Sequence, residues 1–363
     1  MTEGIEKKLQ RNVPLAPLTT MRVGGASRFF LSVKSEEELS EAVKFAENEE
    51  LEIFILGGGS NVLISDEGFD GLTISLEFDA IKKLHMQKNQ ALVYASAGRC
   101  WDEFVKFCVE QNLAGVECLS GIPGKVGAVP IQNVGAYGQE VSETIRGVRV
   151  FDLETKQIYE LTKEECRFDY RSSIFNTIYK DRFIVLGVSF CLKEGGSPKI
   201  VYKDLIDIFG DKSAVSLKEV REAVIRIRRQ KAMVIDESEP NSRSCGSFFK
   251  NPILTKKEFC EVIERTQALG VKSVPSFIVG HDAVKIPAAW LIERAGFYKG
   301  YRFKGAGISE KHALALVNFS NATALDILNL AELIRDRVRE KFGVELVPEP
   351  VFVGFKKVVS MKI

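Results

Sequence analysis

Ile53-Phe54-Ile55-Leu56-Gly57-Gly58-Gly59-Ser60-Asn61-Val62-Leu63 runs a short apolar strand straight into three consecutive glycines. Glycines in series remove every β-carbon from the turn, so its amides can converge on an anion such as a diphosphate. The stretch is not GxGxxG, and no P-loop lysine follows it. A turn that merely packs two elements together would have the same composition. A second stretch strengthens the anion reading: Leu119-Ser120-Gly121-Ile122-Pro123-Gly124-Lys125-Val126-Gly127-Ala128-Val129-Pro130-Ile131-Gln132-Asn133-Val134-Gly135-Ala136-Tyr137-Gly138. Its glycines alternate with apolar residues and two carboxamides, which suits a backbone wall against a large flat heterocycle. Glycine permits close contact, Gln132 and Asn133 can bond ring heteroatoms, and aliphatic side chains support a ring face.

Around these turns the pattern alternates between strands and helices. Phe29 to Val33 reads as a buried strand, and Ser35 with Glu38 as a capping box ahead of Leu39, Val43 and Ala46 at helical spacing. Ala91 to Gly98 is the next strand, and Trp101, Phe104, Val105, Cys108 and Val109 form one helical face. Ile145 to Leu161 reads as a hairpin, and Ile184, Leu186, Val188, Phe190 and Leu192 alternate along one long strand. Thr162 with Glu165, Ser216 with Glu219 and Thr255 with Glu258 each have the spacing that caps a helix. Pro287 opens a helix that Gly296 ends, and Ile327, Ala331, Ile334, Val338 and Phe342 mark a long one closed by Gly343. Glu345 to Gly354 reads as a final strand with Glu349 held stiffly between two prolines, though a sheet-edge glutamate in water has the same sequence.

Three further stretches carry polar chemistry. Ser244-Cys245-Gly246-Ser247-Phe248-Phe249-Lys250-Asn251-Pro252 sets a hydroxyl donor between a glycine and two aromatics, which is the makeup of an active-site loop or of a turn closing a strand. Arg167 to Phe175 offers two arginines among aromatics; Arg171 has the planar fork that clamps a carboxylate, or it pairs with Asp169 at the surface. Arg226 to Lys231 gathers positive charge where a helix dipole alone would attract it, just before a polar connection from Asp236 to Arg243 that reads as mobile.

The bulk numbers bound the function. A chain of 363 residues exceeds one ordinary core. With 50 Lys and Arg against 49 Asp and Glu, no overall field draws it to nucleic acid or an acidic membrane. The seven cysteines are odd in number and form no CxxC pair, as expected of reduced thiols in a cytoplasmic protein. With three histidines and no metal-ligand spacing, no metal site is expected. No apolar run is long enough to span a bilayer, and no heptad stripe marks an interface, so a monomer is expected.

Taken in order, Gly57 to Asn61, Gly121 to Gly124, Gln132 to Gly138, Tyr170-Arg171, Gly246 to Pro252 and Pro348-Glu349 closely resemble the motifs of the UDP-N-acetylenolpyruvoylglucosamine reductase (MurB) family, over nearly the whole chain. The resemblance implies an α+β fold. Its flavin unit would be the two-part kind of the vanillyl-alcohol-oxidase (VAO/PCMH) group, with subdomains at 1–76 plus 343–363 and at 77–231. An α+β substrate-binding domain would occupy 232–342. It implies noncovalent FAD, NADPH as co-substrate, and UDP-N-acetylglucosamine enolpyruvate as the molecule reduced. Tyr202-Lys203-Asp204-Leu205 looks like the tyrosine-bearing insert of the family's type I branch.

By the same resemblance FAD is held by Gly57, Gly58, Gly59, Ser60, Asn61, Leu63, Gly121, Ile122, Pro123, Gly124, Gly127, Ala128, Gln132 and Asn133. Substrate contacts carry over to Tyr137, Tyr202, Arg228, Lys231, Asn251, Lys299 and His312, the last standing where relatives carry a carboxamide. Arg171 and Glu349 would stabilise the carbanion formed by hydride addition, and Ser247 would protonate it, all three facing one side of the flavin ring. Cys245 departs from the family's usual alanine, the 236–243 connection is long and the N-terminus carries extra residues, but no catalytic group is lost. Two rivals are an FAD-dependent alcohol or sugar oxidase of the same superfamily, often with flavin tethered through histidine or cysteine, and a noncatalytic nucleotide-sugar-binding module. Neither glycine turn contains a tethering residue, and Cys118 lies just outside the second.

Overall fold

A computed structural model describes residues 3–85, 89–210 and 212–355, so the outermost ends of the expected 1–76 and 343–363 segments lie outside the described residues. The chain forms two compact units. The first comprises Met1–Val13, Ser27–Gly59 and Asp70–Val234; the second comprises Pro14–Ala26, Ser60–Phe69 and Ile235–Ile363. Helices and strands mix in both, as an α+β fold requires.

In the first unit a four-stranded sheet has the order Gln10–Pro14, Ala26–Val33, Phe69–Leu76, Ile53–Ile55. Its last two strands pair in parallel, Ile53 opposite Leu72. The helix Glu36–Asn48 turns Leu39, Ala42, Val43 and Ala46 inward. Ser35 Oγ accepts from the Glu38 N–H at 3.2 Å, but the expected return bond is not made. The Glu38 carboxylate instead accepts from the Lys34 N–H at 2.8 Å and from Lys8 Nζ at 2.6 Å, where a cation adds charge to the bond.

A larger sheet in the same unit runs Ile158–Thr162, Ile145–Asp152, Phe183–Glu194, Gln90–Ser96, Ile81–His85, with Leu113–Ala114 paired to the central strand. Neighbours are antiparallel, for example Val148 opposite Val188 and Val188 opposite Ala95. Helix Trp101–Glu110 buries Trp101, Phe104, Val105 and Cys108 against it. Thr162 and Glu165 do make both bonds of a capping box, yet no helix follows. Arg167, at φ 45°, takes the left-handed backbone and ends the turn at once. Ser216 and Glu219 cap Leu217–Gln230 as expected, and Val220, Ala223, Val224 and Ile227 face inward.

The second unit is built round the helix Ala324–Phe342, whose residues Ile327, Ala331, Ile334, Val338 and Phe342 are all buried. Phe248 and Phe249 are 0% and 1% exposed in the same core, so they are packing residues, each worth on the order of 2–3 kcal/mol of burial. Two small three-stranded antiparallel sheets complete the unit, Ile253–Thr255 with Ala283–Lys285 and Phe277–Val279, and Arg302–Phe303 with Ala306–Ile308 and Leu316–Asn318. The expected last strand shrinks to Val351–Val353, which pairs in parallel with Val62–Ile64. Pro348 and Pro350 have no N–H to give to a ladder, which cuts the strand short.

The 236–243 connection is well tied down. Pro240–Ser242 forms a 3-10 turn capped by Glu239. Asn241 is buried, and its Oδ1 accepts from Ser309 Oγ at 3.1 Å and from the Glu310 N–H at 2.8 Å. All seven cysteines carry free thiols.

Candidate active site

In the first unit the two glycine turns touch. A β-carbon built on Gly58 would lie 2.6 Å from Gly124 Cα, and one on Gly57 would lie 3.7 Å from the Ala128 Cβ. Any side chain at Gly58 would drive the turns apart, so the contact itself requires glycine. The Leu56 N–H is taken by Ile74, whereas the amides of Gly57, Gly58, Ile122 and Gly124 donate to no protein group among the described residues. Four half-buried donors on two abutting turns make a cradle-like arrangement that suits an anion such as a diphosphate. Gly127 differs, since its N–H donates to the Ala97 carbonyl at 2.9 Å.

Other expected cofactor residues are already occupied. Asn133 is 1% exposed, and its amide hydrogens go to Glu140 Oε2 at 2.9 Å and to the Asp169 carbonyl at 3.0 Å. Its Oδ1 also accepts from the Ser142 N–H at 3.1 Å, so the side chain is a structural tie. Gln132 is half-buried, and Leu63 lies in the core of the second unit. Cys118 is no tether: burial pushes its thiol well above the usual range, and its Sγ donates to the Lys199 carbonyl at 3.1 Å.

Arg171 stands at φ 51°, and its Nη2 donates to the Gly135 carbonyl at 2.7 Å. A β-carbon on Gly135 would meet Arg171 Nη1 at 3.1 Å, so the glycine makes room for the guanidinium. Beyond it, Tyr137 and Tyr202 meet edge to face at 5.4 Å, and Lys231 Nζ lies 5.8 Å from the Tyr137 ring. Tyr137 is buried and Tyr202 is exposed. Burial raises the Tyr137 pKa, with Arg228 and Lys231 pulling it back part of the way. Burial is the largest single influence on Lys231 and works against its charge, but the 2.8 Å bond to Asp204 together with the fields of Tyr137, Asp204 and Tyr202 outweighs it and leaves that pKa raised. Arg228 Nε donates to the Gly121 carbonyl at 3.2 Å, linking this cationic cluster to the second glycine turn.

In the second unit the serine and glutamate segments run side by side. The Glu349 N–H donates to the Phe248 carbonyl at 2.8 Å, and the Lys250 N–H donates to Val347 at 2.9 Å. Asn61 joins them: its Nδ2 donates to the Glu349 carbonyl at 3.3 Å, and its carbonyl accepts from Val351 at 3.0 Å. Ser247, Glu349 and part of the first glycine turn are thereby held in one place. Asn251 Oδ1 accepts from the Ala288 N–H at 2.9 Å, so that oxygen serves the start of a helix. His312 Nδ1 accepts from the Leu314 N–H at 3.1 Å, which leaves Nε2 to carry the proton of a neutral ring. Lys299 is exposed.

Three residues at these turns escape notice in the sequence. Lys125 Nζ donates to the Leu76 carbonyl at 2.9 Å, and burial lowers its pKa. Asp102 and Arg221 form a two-point ion pair beside Gly121. An acid in a helix's first turn is too common to single out; only its contacts show its use.

Residues 238–353 match the family of UDP-N-acetylenolpyruvoylglucosamine reductase C-terminal domains, and residues 27–161 match the FAD binding domain family. A UDP-N-acetylenolpyruvoylglucosamine reductase of Thermobifida fusca is 45% identical over 349 residues, covering 95% of this chain and 98% of its own. One from Streptomyces coelicolor is 42% identical, covering 94% and 90%. The crystal structure of the enzyme from Thermus caldophilus superimposes with a TM-score of 0.65 at 25% identity, over 95% of this chain and 99% of that one.

Proposed function

The chain belongs to the UDP-N-acetylenolpyruvoylglucosamine reductase family, and from that membership we propose how its own residues divide the work. The protein is an NADPH-dependent flavoenzyme that reduces UDP-N-acetylglucosamine enolpyruvate to UDP-N-acetylmuramate in peptidoglycan precursor synthesis. The chemistry that FAD would supply when bound, without a covalent tether, is hydride transfer from NADPH on to the terminal vinyl carbon of the enolpyruvyl group.

Hydride addition leaves a carbanion on the adjoining carbon, delocalised into the substrate carboxylate. Arg171 sets a guanidinium against that growing charge, a stabilisation worth several kcal/mol when the group is already in place, roughly 3 kcal/mol for one such donor. Glu349 works in its protonated form, since a second anion there would repel the intermediate. Ser247 gives the proton that completes the product; a serine hydroxyl is a weak acid, but the carbanion is a strong base. The amides of Gly57, Gly58, Ile122 and Gly124 hold the flavin diphosphate, and Tyr137, Tyr202, Arg228 and Lys231 bind the sugar nucleotide. Residues 1–76 and 77–231 serve the flavin, with 343–363 joining the first of these segments, and 232–342 serve the substrate.

The observation that carries these roles is the bond from the Glu349 N–H to the Phe248 carbonyl at 2.8 Å, which sets the acid's segment against the serine's. Among the described residues no helix is long and apolar enough to cross a membrane. A cytoplasmic monomer without a nucleic-acid partner completes the proposal. Under anaerobic conditions NADPH should bleach the yellow protein, and UDP-N-acetylglucosamine enolpyruvate should restore the oxidised spectrum. Bleaching without recovery would refute the assignment of substrate roles.

A further inference from the structure

The turn from Gly121 to Gly124 is fastened at both ends by consecutive residues of one helix. The Gly121 N–H donates to Asp102 Oδ1 at 2.6 Å, and the Gly124 carbonyl accepts from the Trp101 N–H at 3.0 Å. Asp102 is itself aimed by Arg221, whose fork spans both carboxylate oxygens at 2.6 and 2.7 Å. Only 12% of the Arg221 side chain and 33% of the Asp102 side chain is exposed, so the pair is largely shielded from water. On its other side the Gly121 carbonyl accepts from Arg228 Nε at 3.2 Å.

These bonds supply what the glycine lacks. Gly121 sits at φ 70°, and a β-carbon on it would come no nearer than 3.4 Å to any neighbour, so neither side chain nor crowding holds its peptides in one orientation. A glycine peptide without outside partners can flip at little cost. A flip would turn the next amides away from any anion in the cradle. Asp102 has no direct part in holding a diphosphate, because two anions repel; its influence passes through the backbone, with Arg221 offsetting its charge.

We propose that Asp102, oriented by Arg221, is a positioning residue for FAD: it fixes the peptide entering Gly121, as Arg228 fixes the peptide leaving it, so that the Ile122 and Gly124 amides face the diphosphate. The role rests on the reading that this turn holds the flavin. Apoprotein titrated with FAD, followed by quenching of flavin fluorescence, tests it. Asp102→Ala removes the acceptor and should weaken FAD binding about 10-fold or more and shift the visible spectrum of the bound flavin. Asp102→Asn keeps an oxygen for the Gly121 N–H and should recover most of the affinity, to within about threefold of wild type, together with the wild-type spectrum. Equal affinity and an unchanged spectrum in Asp102→Ala would overturn the role. So would equal losses in both variants, since the conservative one would then rescue nothing. Wild-type apoprotein that takes up no FAD would bring down the flavin reading itself, a failure distinct from either.

Discussion

Asn133, Tyr137 and Arg171 all adopt left-handed backbone, at φ 46°, 50° and 51°. For residues with a β-carbon that conformation costs about 1 kcal/mol each, and it persists only where surrounding bonds enforce it. The Arg171 bond to Gly135 and the Asn133 bonds to Glu140 and Asp169 are such enforcers. The same left-handed backbone recurs at turns elsewhere, at Asn12, Asn89 and Lys156 for example, so these three are part of a wider set. Residue types were legible at these positions, but φ was not, since nothing about Asn, Tyr or Arg demands it. Ser247 follows Gly246 at φ 78°, where a β-carbon would meet nothing within 4 Å, so that glycine is needed for its conformation alone. Replacing Ser247 by alanine should leave bleaching by NADPH intact and slow reoxidation by the enol ether about 10²- to 10⁴-fold, read by stopped-flow absorbance. Equal slowing of both half-reactions would remove serine from the acid role.

At the level of elements, sequence spacing found the helices well and misjudged what followed some of their signals. Ser216 with Glu219 and Thr255 with Glu258 form reciprocal boxes on real helices, and so does Thr323 with Asp326, which the spacing had not singled out. Thr162 with Glu165 forms the same bonds on a turn, because a cap satisfies first-turn donors but cannot supply the apolar face that extends a helix. The start of Ala324–Phe342 is capped twice: Asp66 accepts from the N–H groups of Ala324 at 2.8 Å and Leu325 at 3.0 Å, in addition to the Thr323 bond to Asp326. Thr323→Ala should destabilise the second unit by about 1 kcal/mol, measured by urea unfolding. Asp66→Ala should do so as well despite its distance in sequence, and no effect from either would discount these caps.

Over the whole molecule, each unit holds a carboxylate well below its usual range. In the first, the two-point bond from Arg182 lowers the Asp152 pKa, against the opposing effect of burial. In the second, the bond from Lys311, helped by Asn241, brings Glu239 down to about 2. A folded pKa below the unfolded one means that the unfolded chain binds more protons as acid is added. The stability these groups contribute is complete above the ordinary carboxylate pKa and drains away as pH falls toward the folded values. Urea midpoints should therefore fall steadily from about pH 5 to pH 2, and the difference between wild type and Glu239→Gln should shrink over the same interval. A flat profile would contradict both assignments.

From the sequence alone came the longer buried strands, most helices, the glycine turns and the order of motifs, because periodicity, capping and turn preference are decided among residues a few positions apart, whereas strands such as Phe69–Leu76 and Leu316–Asn318 were not foreseen. Tertiary structure alone decided that Asp102 holds Gly121, that Asn61 holds Glu349 and that Asp66 caps a distant helix. A hydrogen bond between remote residues depends on where packing brings their backbones, and no local preference of either residue encodes that position.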